Sequence, residues 1–141
     1  MSFDIFLLAC KDGEVGALDV DLVARAFGPL AKPLEDGSWA MLFDDGEHYG
    51  SYLDFSEETE SVITGFGIGD PPFSNAFLEA LMDILRQTPS ILYWPSDGVW
   101  ACAASADVFD QAPADMFNSR DELAVASSIA DLKSYLELDF K

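Results

Sequence analysis

Short apolar runs bounded by turn-forming residues predict that much of this chain is β-sheet. Two pairs of these runs are separated by tight-turn signals, Asp44-Asp45-Gly46 and residues 95–98, and therefore predict hairpins. The turn at residues 11–14 follows the first run. The predicted strands are residues 3–10, 38–43, 48–55, 61–68, 91–94 and 99–104.

Apolar residues at helical spacing predict helices between the strands. Asp19 or Asp21 is a candidate cap for the first helix, which Gly28-Pro29 ends, and Ser74 and Asn75 are candidate caps for the second. The predicted helical segments are residues 19–27, residues 74–87 and a single turn at residues 107–111.

The C-terminal segment allows two interpretations. Ser119-Arg120-Asp121-Glu122 is a capping-box pattern that starts one long helix in the first interpretation. The second, which we favour, is a short strand at residues 123–126 followed by a helix from about residue 128 to residue 138. Hairpins imply antiparallel pairing, so the whole pattern predicts one α+β domain over residues 1–141, with two or three helices on one face of a mostly antiparallel sheet.

The stretch ITGFGIGDPPF, residues 63–73, places three glycines at alternate positions and raises the question of a phosphate-binding loop. A dinucleotide fingerprint needs a third glycine where the chain has Asp70 in one frame and Pro72 in the other. A P-loop needs a lysine, and the chain has none between Lys32 and Lys133. We interpret the stretch as a strand with one bare face, against which a helix of the same chain or a large aromatic side chain packs; the alternative is a groove into which a partner inserts.

Net charge limits the partners that the chain can take. Its 141 residues are 50% hydrophobic, which is enough for a core, and carry a formal charge of −19. Such a charge repels nucleic acid and anionic membranes and favours a basic protein as partner. No apolar run reaches the roughly 18 residues needed to cross a bilayer. Asp4 stands where a signal peptide would carry positive charge, so we predict a buried first strand and a cytoplasmic protein.

Residues that carry chemistry are sparse. His48 is the one histidine, and there is no HExxH, CxxC or G-x-S-x-G pattern. The cluster Asp44-Asp45-Gly46-Glu47 lacks the twelve-residue calcium-loop pattern. Cys10 and Cys102 are predicted to be free and buried. We therefore assign no catalytic, cofactor-binding or metal-binding residue, although a pair of carboxylates for glycoside hydrolysis stays open among so many acidic residues.

The most informative electrostatic feature is a segment without cations. Residues 33–85 contain no Lys or Arg but twelve Asp or Glu. The acidic clusters fall at predicted turns, with aromatic residues between them, as expected of a surface that binds a basic protein. The candidate partner-binding residues are Glu35, Asp36, Asp44, Asp45, Glu47, Glu57, Glu58 and Glu60, with Trp39, Tyr49 and Tyr52 as aromatic anchors.

Four segments carry a resemblance: the opening MSFDIFL, the central GFGIGDPPF, the hairpin ILYWPSDG and the later APADM. In these segments the chain resembles a group of small acidic bacterial proteins with no assigned activity. In size, acidity and α+β layout the chain is also similar to immunity proteins of bacterial toxin systems. This second resemblance implies a cytoplasmic inhibitor that binds and blocks a cognate toxin, and it assigns no site residue.

We therefore expect a non-enzymatic protein-binding domain, with two alternatives. One is a small-molecule-binding or enzymatic domain whose pocket lies beside the glycine strand near His48. The other is an oligomeric structural module in which an exposed strand edge closes a symmetric dimer.

Overall fold

The computed structural model describes residues 3–42, 48–56, 62–96, 98–113 and 123–138, which fold into one α+β domain. The helices are α1 (Val20–Phe27), α2 (Asn75–Gln87), α3 (Asp107–Asp110) and α4 (Ile129–Tyr135), and a 3-10 turn, Gly28–Leu30, follows α1. The strands are β1 (Asp4–Lys11), β2 (Glu14–Val15), β3 (Leu18–Asp19), β4 (Ala31–Pro33), β5 (Trp39–Leu42), β6 (His48–Ser56), β7 (Val62–Ile63), β8 (Gly65–Gly69), β9 (Ser90–Tyr93), β10 (Ala101–Ala103) and β11 (Leu123–Val125).

The main sheet is built around β1. Its strand order is β11-β10-β9-β1-β8-β6-β5-β4, and β2 pairs with the end of β1. All pairs are antiparallel except β10 with β11, which run parallel. The first strand is therefore central, and its neighbours β8 and β9 come from residues more than fifty positions away. β3 and β7 form a separate two-stranded sheet.

The larger core lies between one face of the sheet and the helices α1, α2 and α4. Strand alternation turns Ile5 and Leu7 of β1 toward this face, together with Leu92 of β9. In the middle of the core, the ring of Phe27 stacks on Phe77, with 5.7 Å between ring centroids. We call this side of the sheet the inner face.

The opposite, outer face carries a smaller core at one end. Ile91 of β9 and the alanines of β10 alternate away from the inner face and pack against Val108 and Phe109 of α3. The prediction that helices cover one face holds for α1, α2 and α4, whereas α3 packs on the other. The two cysteines are free and buried, as predicted. Cys102 belongs to the inner core and Cys10 to the outer one, so the sheet separates the two thiols.

Both long helices begin at predicted caps. The side chain of Asp19 accepts a hydrogen bond from the backbone N–H of Asp21 at the start of α1, over 2.8 Å. At the start of α2, the Ser74 hydroxyl accepts from the N–H of Phe77 at 3.1 Å. Ser74 is therefore the cap, and Asn75 is the first helical residue.

The loop before α2 is held to the start of β1 by two hydrogen bonds. The Asp70 N–H donates to the Phe3 carbonyl, and the Phe3 N–H donates to Asp70 Oδ1, each over 2.8 Å. Asp70 has a φ of 45°, a conformation that Asp tolerates better than most residues. Its carboxylate therefore has a structural role at the strand end.

Most predicted elements are confirmed, including the hairpin of β9 and β10 and the strand-plus-helix interpretation of the C-terminal segment. The single strand predicted at residues 61–68 is wrong. Thr64 interrupts it, and its first part, β7, pairs with β3 while β8 joins the main sheet. Ile63 is consequently a core residue and does not share the glycine face. The turn at Asp44-Asp45-Gly46 and the capping-box residues 119–122 lie outside the described residues.

Candidate functional site

One part of the outer face has no described helix over it, and there the side chains of three neighbouring strands alternate toward solvent. We call this part the open face. The register places Phe6 beside Gly67 and Gly67 beside Asp54, so these residues form one row across β1, β8 and β6. Asp4 lies beside Gly69 in the next row. The open face consists of Asp4, Phe6, Tyr52, Asp54, Gly67 and Gly69.

The glycines of β8 form a bare floor between two strands that carry side chains. A Cβ at position 67 would lie 3.0 Å from Cδ1 of Phe6, so the ring of Phe6 leans over Gly67. A Cβ at position 69 would lie 3.2 Å from Oδ1 of Asp4. The expected packing of a large aromatic side chain against the glycine strand is thus present, and β1 supplies it.

A groove of about 320 Å³ follows this floor. It is lined by Asp4, Phe6, Asp54, Phe55, Gly67, Ile68 and Gly69. A second depression of about 180 Å³ continues from it toward the turn before β5 and shares Asp54 and Phe55 as lining residues. Asp36 also lines this second depression. Carboxylates therefore line both the groove and the depression beside it.

The carboxylates of the groove are available to a ligand. Within the described part of the chain, neither Asp4 nor Asp54 is paired with a cation or accepts a side-chain hydrogen bond. Asp36 Oδ1 accepts from the hydroxyl and the N–H of Ser38, and these hydrogen bonds hold the pKa of Asp36 below its ordinary value. Lys32 of β4 is a cation on the same side of the sheet, but Ala40 and the strand of Tyr52 separate it from the glycines.

One exposed aromatic ring borders the groove, and a second lies beside it on the open face. Phe6 is 36% exposed and stacks on Tyr93 of β9, with 5.3 Å between ring centroids. Burial raises the pKa of the Tyr93 hydroxyl. Tyr52 is 44% exposed on β6, two residues before Asp54 on the same face of the strand. The open face thus combines aromatic surface with negative charge.

The structure locates four of the eleven residues predicted to bind a partner. Tyr52 lies on the open face, and Glu35 and Asp36 lie in the exposed turn beside it. Trp39 is 7% exposed and packs edge-on against Phe55, with 4.9 Å between ring centroids, so it belongs to the core and not to the surface. Trp39 pairs with Leu53 of β6, and paired residues point to the same face of a sheet, so both side chains point into the inner core.

The other predicted residues are not placed. Asp44, Asp45, Glu47, Glu57, Glu58 and Glu60 lie outside the described residues, as do the side chains of Tyr49 and His48.

Sequence reasoning missed Asp4, Phe6 and Tyr93 as surface residues of the site. The predicted buried first strand includes Phe6, and the available signal is strand alternation, which points Phe6 away from the face of Ile5 and Leu7. Asp54 belongs to the cation-free segment but is not among the predicted partner-binding residues. Only the register of β1 and β6 on β8 brings Asp4 and Asp54 to the two sides of the glycines.

The described side chains offer little for nucleophilic or metal chemistry. Burial raises the pKa of Cys10 to about 11, and burial together with the charge of Asp131 raises that of Cys102 to about 12, so both thiols are protonated at neutral pH. Among these residues, no group of three or more His, Cys, Asp or Glu is placed to hold a metal ion. A search of the same residues finds no helix with the length and apolar character needed to cross a membrane.

Comparison of the chain with protein-family models, with curated proteins and with solved structures gives no match.

Proposed function

We propose that this chain is a non-enzymatic protein-binding domain whose open face takes a basic protein partner. One observation carries the proposal: two carboxylates without cation partners and the exposed ring of Phe6 border a groove with a glycine floor, and the exposed ring of Tyr52 lies on the same face. Bound partners are commonly held by aromatic anchors, and complementary charge directs their approach.

The charge of the whole chain supports the same kind of partner. At −19 the protein generates a long-range field that accelerates encounter with a cation-rich surface and slows encounter with an anionic one. The acidic turn at Glu35 and Asp36 extends this field beside the groove. The unplaced acidic residues between positions 44 and 60 add further negative charge to the same stretch of sequence.

A more specific form of the proposal is that the chain acts as an immunity protein. In that form the acidic surface occupies a basic cleft of a cytoplasmic toxin, one that otherwise holds nucleic acid or another anionic substrate, and blocks it sterically. What supports this form is the size, acidity and α+β layout of the chain.

The test is capture of partners from lysate of the source organism with three tagged proteins. These are the unchanged chain, Asp54→Lys and Glu79→Lys. Both substituted side chains are exposed and both changes alter the net charge equally, but Glu79 lies on α2, away from the open face. We expect a basic protein that is retained by the unchanged chain and by Glu79→Lys, is lost by Asp54→Lys, and is released in about 0.5 M salt.

Equal retention by all three proteins would place the interaction elsewhere and contradict the proposal, as would a partner whose binding does not respond to salt. An immunity function further requires that the captured protein be toxic when expressed alone and that the unchanged chain suppress this toxicity. Suppression by Asp54→Lys to the same extent would contradict a role for the open face.

A second candidate function rests on the groove volume. About 320 Å³ is at the lower end of the range for small-molecule sites, which runs from roughly 300 to 1,000 Å³. The two bordering carboxylates would select a cationic compound. The test is the midpoint of thermal unfolding in the presence of a pool of cationic metabolites. A rise that Asp54→Lys abolishes would favour this candidate over a protein partner.

A further inference from the structure

We infer that the groove of the open face takes an arginine side chain of the partner, with its guanidinium group lying on the glycine floor between Asp4 and Asp54. This inference rests on the proposed function, since it names the residue by which a basic partner is recognised. We infer an arginine within a polypeptide, and not a free small molecule, because the neighbouring aromatic surface can contact the rest of the partner chain.

The shape of the site favours a planar cation. Gly67 and Gly69 carry no side chain at two successive outward positions, so the part of β8 that the ring of Phe6 does not cover is a flat floor. The strands on either side carry side chains, so the floor is bounded laterally at about 5 Å on each side. A guanidinium is planar and weakly hydrated, whereas an ammonium is compact and strongly hydrated, so the flat site suits arginine better than lysine.

The positions of the two carboxylates suit the spread of guanidinium donors. Asp54 lies beside Gly67 on one side, and Asp4 lies beside Gly69 on the other, so the two approach the floor from opposite strands and different rows. Arginine has five N–H donors in a fixed plane and can address carboxylates in two directions. The lysine ammonium has three donors around one nitrogen, so it bonds both carboxylates only if both approach that single atom.

Phe6 completes the site from the side of β1. Its ring leans over Gly67 and is held there by the stack on Tyr93. A cation that lies on the floor is therefore within reach of an aromatic ring whose position is fixed before binding, which is the arrangement in which guanidinium groups stack on aromatic rings.

The test uses three capped tripeptides and nuclear magnetic resonance of the full chain labelled with ¹⁵N. The peptides are Gly-Arg-Gly, Gly-Lys-Gly and Gly-citrulline-Gly, which compare a guanidinium, an ammonium and a neutral isostere of arginine at matched length. We expect the arginine peptide to shift the amide signals of Gly67 and Gly69 and to bind roughly fivefold more tightly than the lysine peptide. The citrulline peptide should leave these signals unchanged.

Two conservative variants and a control locate the carboxylates. Asp54→Asn and Asp4→Asn should each weaken the arginine peptide by about fivefold, whereas Glu79→Gln, which removes the same charge from α2, should leave its affinity unchanged. The amide spectra of the variants show directly whether each is folded.

Equal binding of the arginine and lysine peptides at Gly67 and Gly69 would overturn the inference and leave the proposed basic partner in place. Absence of any shift at these glycines with millimolar arginine peptide would also overturn it, while the capture experiment with Asp54→Lys separately decides the proposed function. Tighter binding of free L-arginine, despite its carboxylate, than of the peptide would overturn the assignment to a polypeptide.

Discussion

Phe6 lies across Gly67, and this contact explains both the glycine stripe and the groove beside it. A Cβ at position 67 would lie 3.0 Å from Cδ1 of Phe6 and 3.1 Å from Cε1. With no side chain at position 67, the ring can lean toward the middle of the sheet and stack on Tyr93 along its other side. The part of the floor that the ring does not cover is the groove.

The neighbouring Gly65 has a structural role that a substitution would reveal. A Cβ at position 65 would collide with the carbonyl oxygen of Leu7, which belongs to the backbone of the central strand β1 and cannot rotate away. We expect Gly65→Ala to lower the free energy of unfolding by about 3 kcal/mol, the upper part of the range for overpacking, as measured by urea denaturation.

Gly98→Ala is the matched control for this prediction. No atom lies within 4 Å of a Cβ at position 98, so the substitution should change the free energy of unfolding by less than about 0.5 kcal/mol. Equal effects of the two substitutions would show that steric contact at Gly65 is not what makes glycine necessary there.

Ser74 is the cap of α2, and its removal should weaken the helix that contributes most to the inner core. Its hydroxyl accepts the N–H of Phe77, whose ring is fully buried. We expect Ser74→Ala to lower the free energy of unfolding by about 1 kcal/mol. Asn75→Ala should be neutral or slightly stabilising, because residue 75 is exposed and already helical. If Asn75→Ala were the more damaging change, the cap would be misassigned.

Local patterns predicted the elements whose stability is mostly local. The helix α2 shows several turns of regular apolar spacing, and the hairpin of β9 and β10 is closed by a short turn. The two-residue strands β2, β3 and β7 contain too few positions for any period to appear, so they were missed or misjoined. Their pairing is decided by which distant segment lies beside them.

The candidate site was predicted in its chemistry more than in its location. Negative charge with interleaved aromatic residues was visible in the sequence, and Tyr52 and Asp36 lie where such a surface exists. The row of Phe6, Gly67 and Asp54 joins residues from three distant segments, and strand order has no local signature. The prediction that Trp39 is an exposed anchor is wrong, because the acidic residues around it in sequence do not show which side chains of the strand point inward.

Alkaline pH should destabilise the fold through the buried thiols. The pKa of Cys10 rises from an ordinary value of 9.0 to about 11 and that of Cys102 to about 12, so the folded state holds its protons more tightly than the unfolded state. This contribution to stability is complete below pH 9 and is lost progressively as pH rises toward the folded values. We expect the free energy of unfolding, measured in urea, to fall between pH 9 and 11.

Alanine at the two cysteines tests the origin of this dependence. Cys102→Ala should reduce the fall between pH 9 and 11, and the double variant with Cys10→Ala should reduce it further, whatever the variants do to stability at pH 7. Tyr93, whose pKa is also raised by burial, acts in the same direction above its ordinary value of 10.0. An unchanged slope in the double variant would assign the alkaline transition to groups other than the thiols.

The acidic residues beside the groove should act mainly on the rate of association with a basic partner. Glu35 and Asp36 lie in the exposed turn beside the groove, and charges at the rim of an interface accelerate encounter more than they slow dissociation. We expect Glu35→Gln with Asp36→Asn to reduce the association rate by about threefold to tenfold at low ionic strength, measured by stopped-flow mixing with the captured partner, and to flatten its dependence on salt. The sequence alone predicts the same for truncation of Asp45 or Glu58, which should slow association and weaken its dependence on salt. The control is Glu79→Gln with Asp83→Asn, which removes two charges from α2 and should change the association rate by less than twofold. A similar loss of rate in both double variants would indicate that net charge directs the encounter, and not the open face.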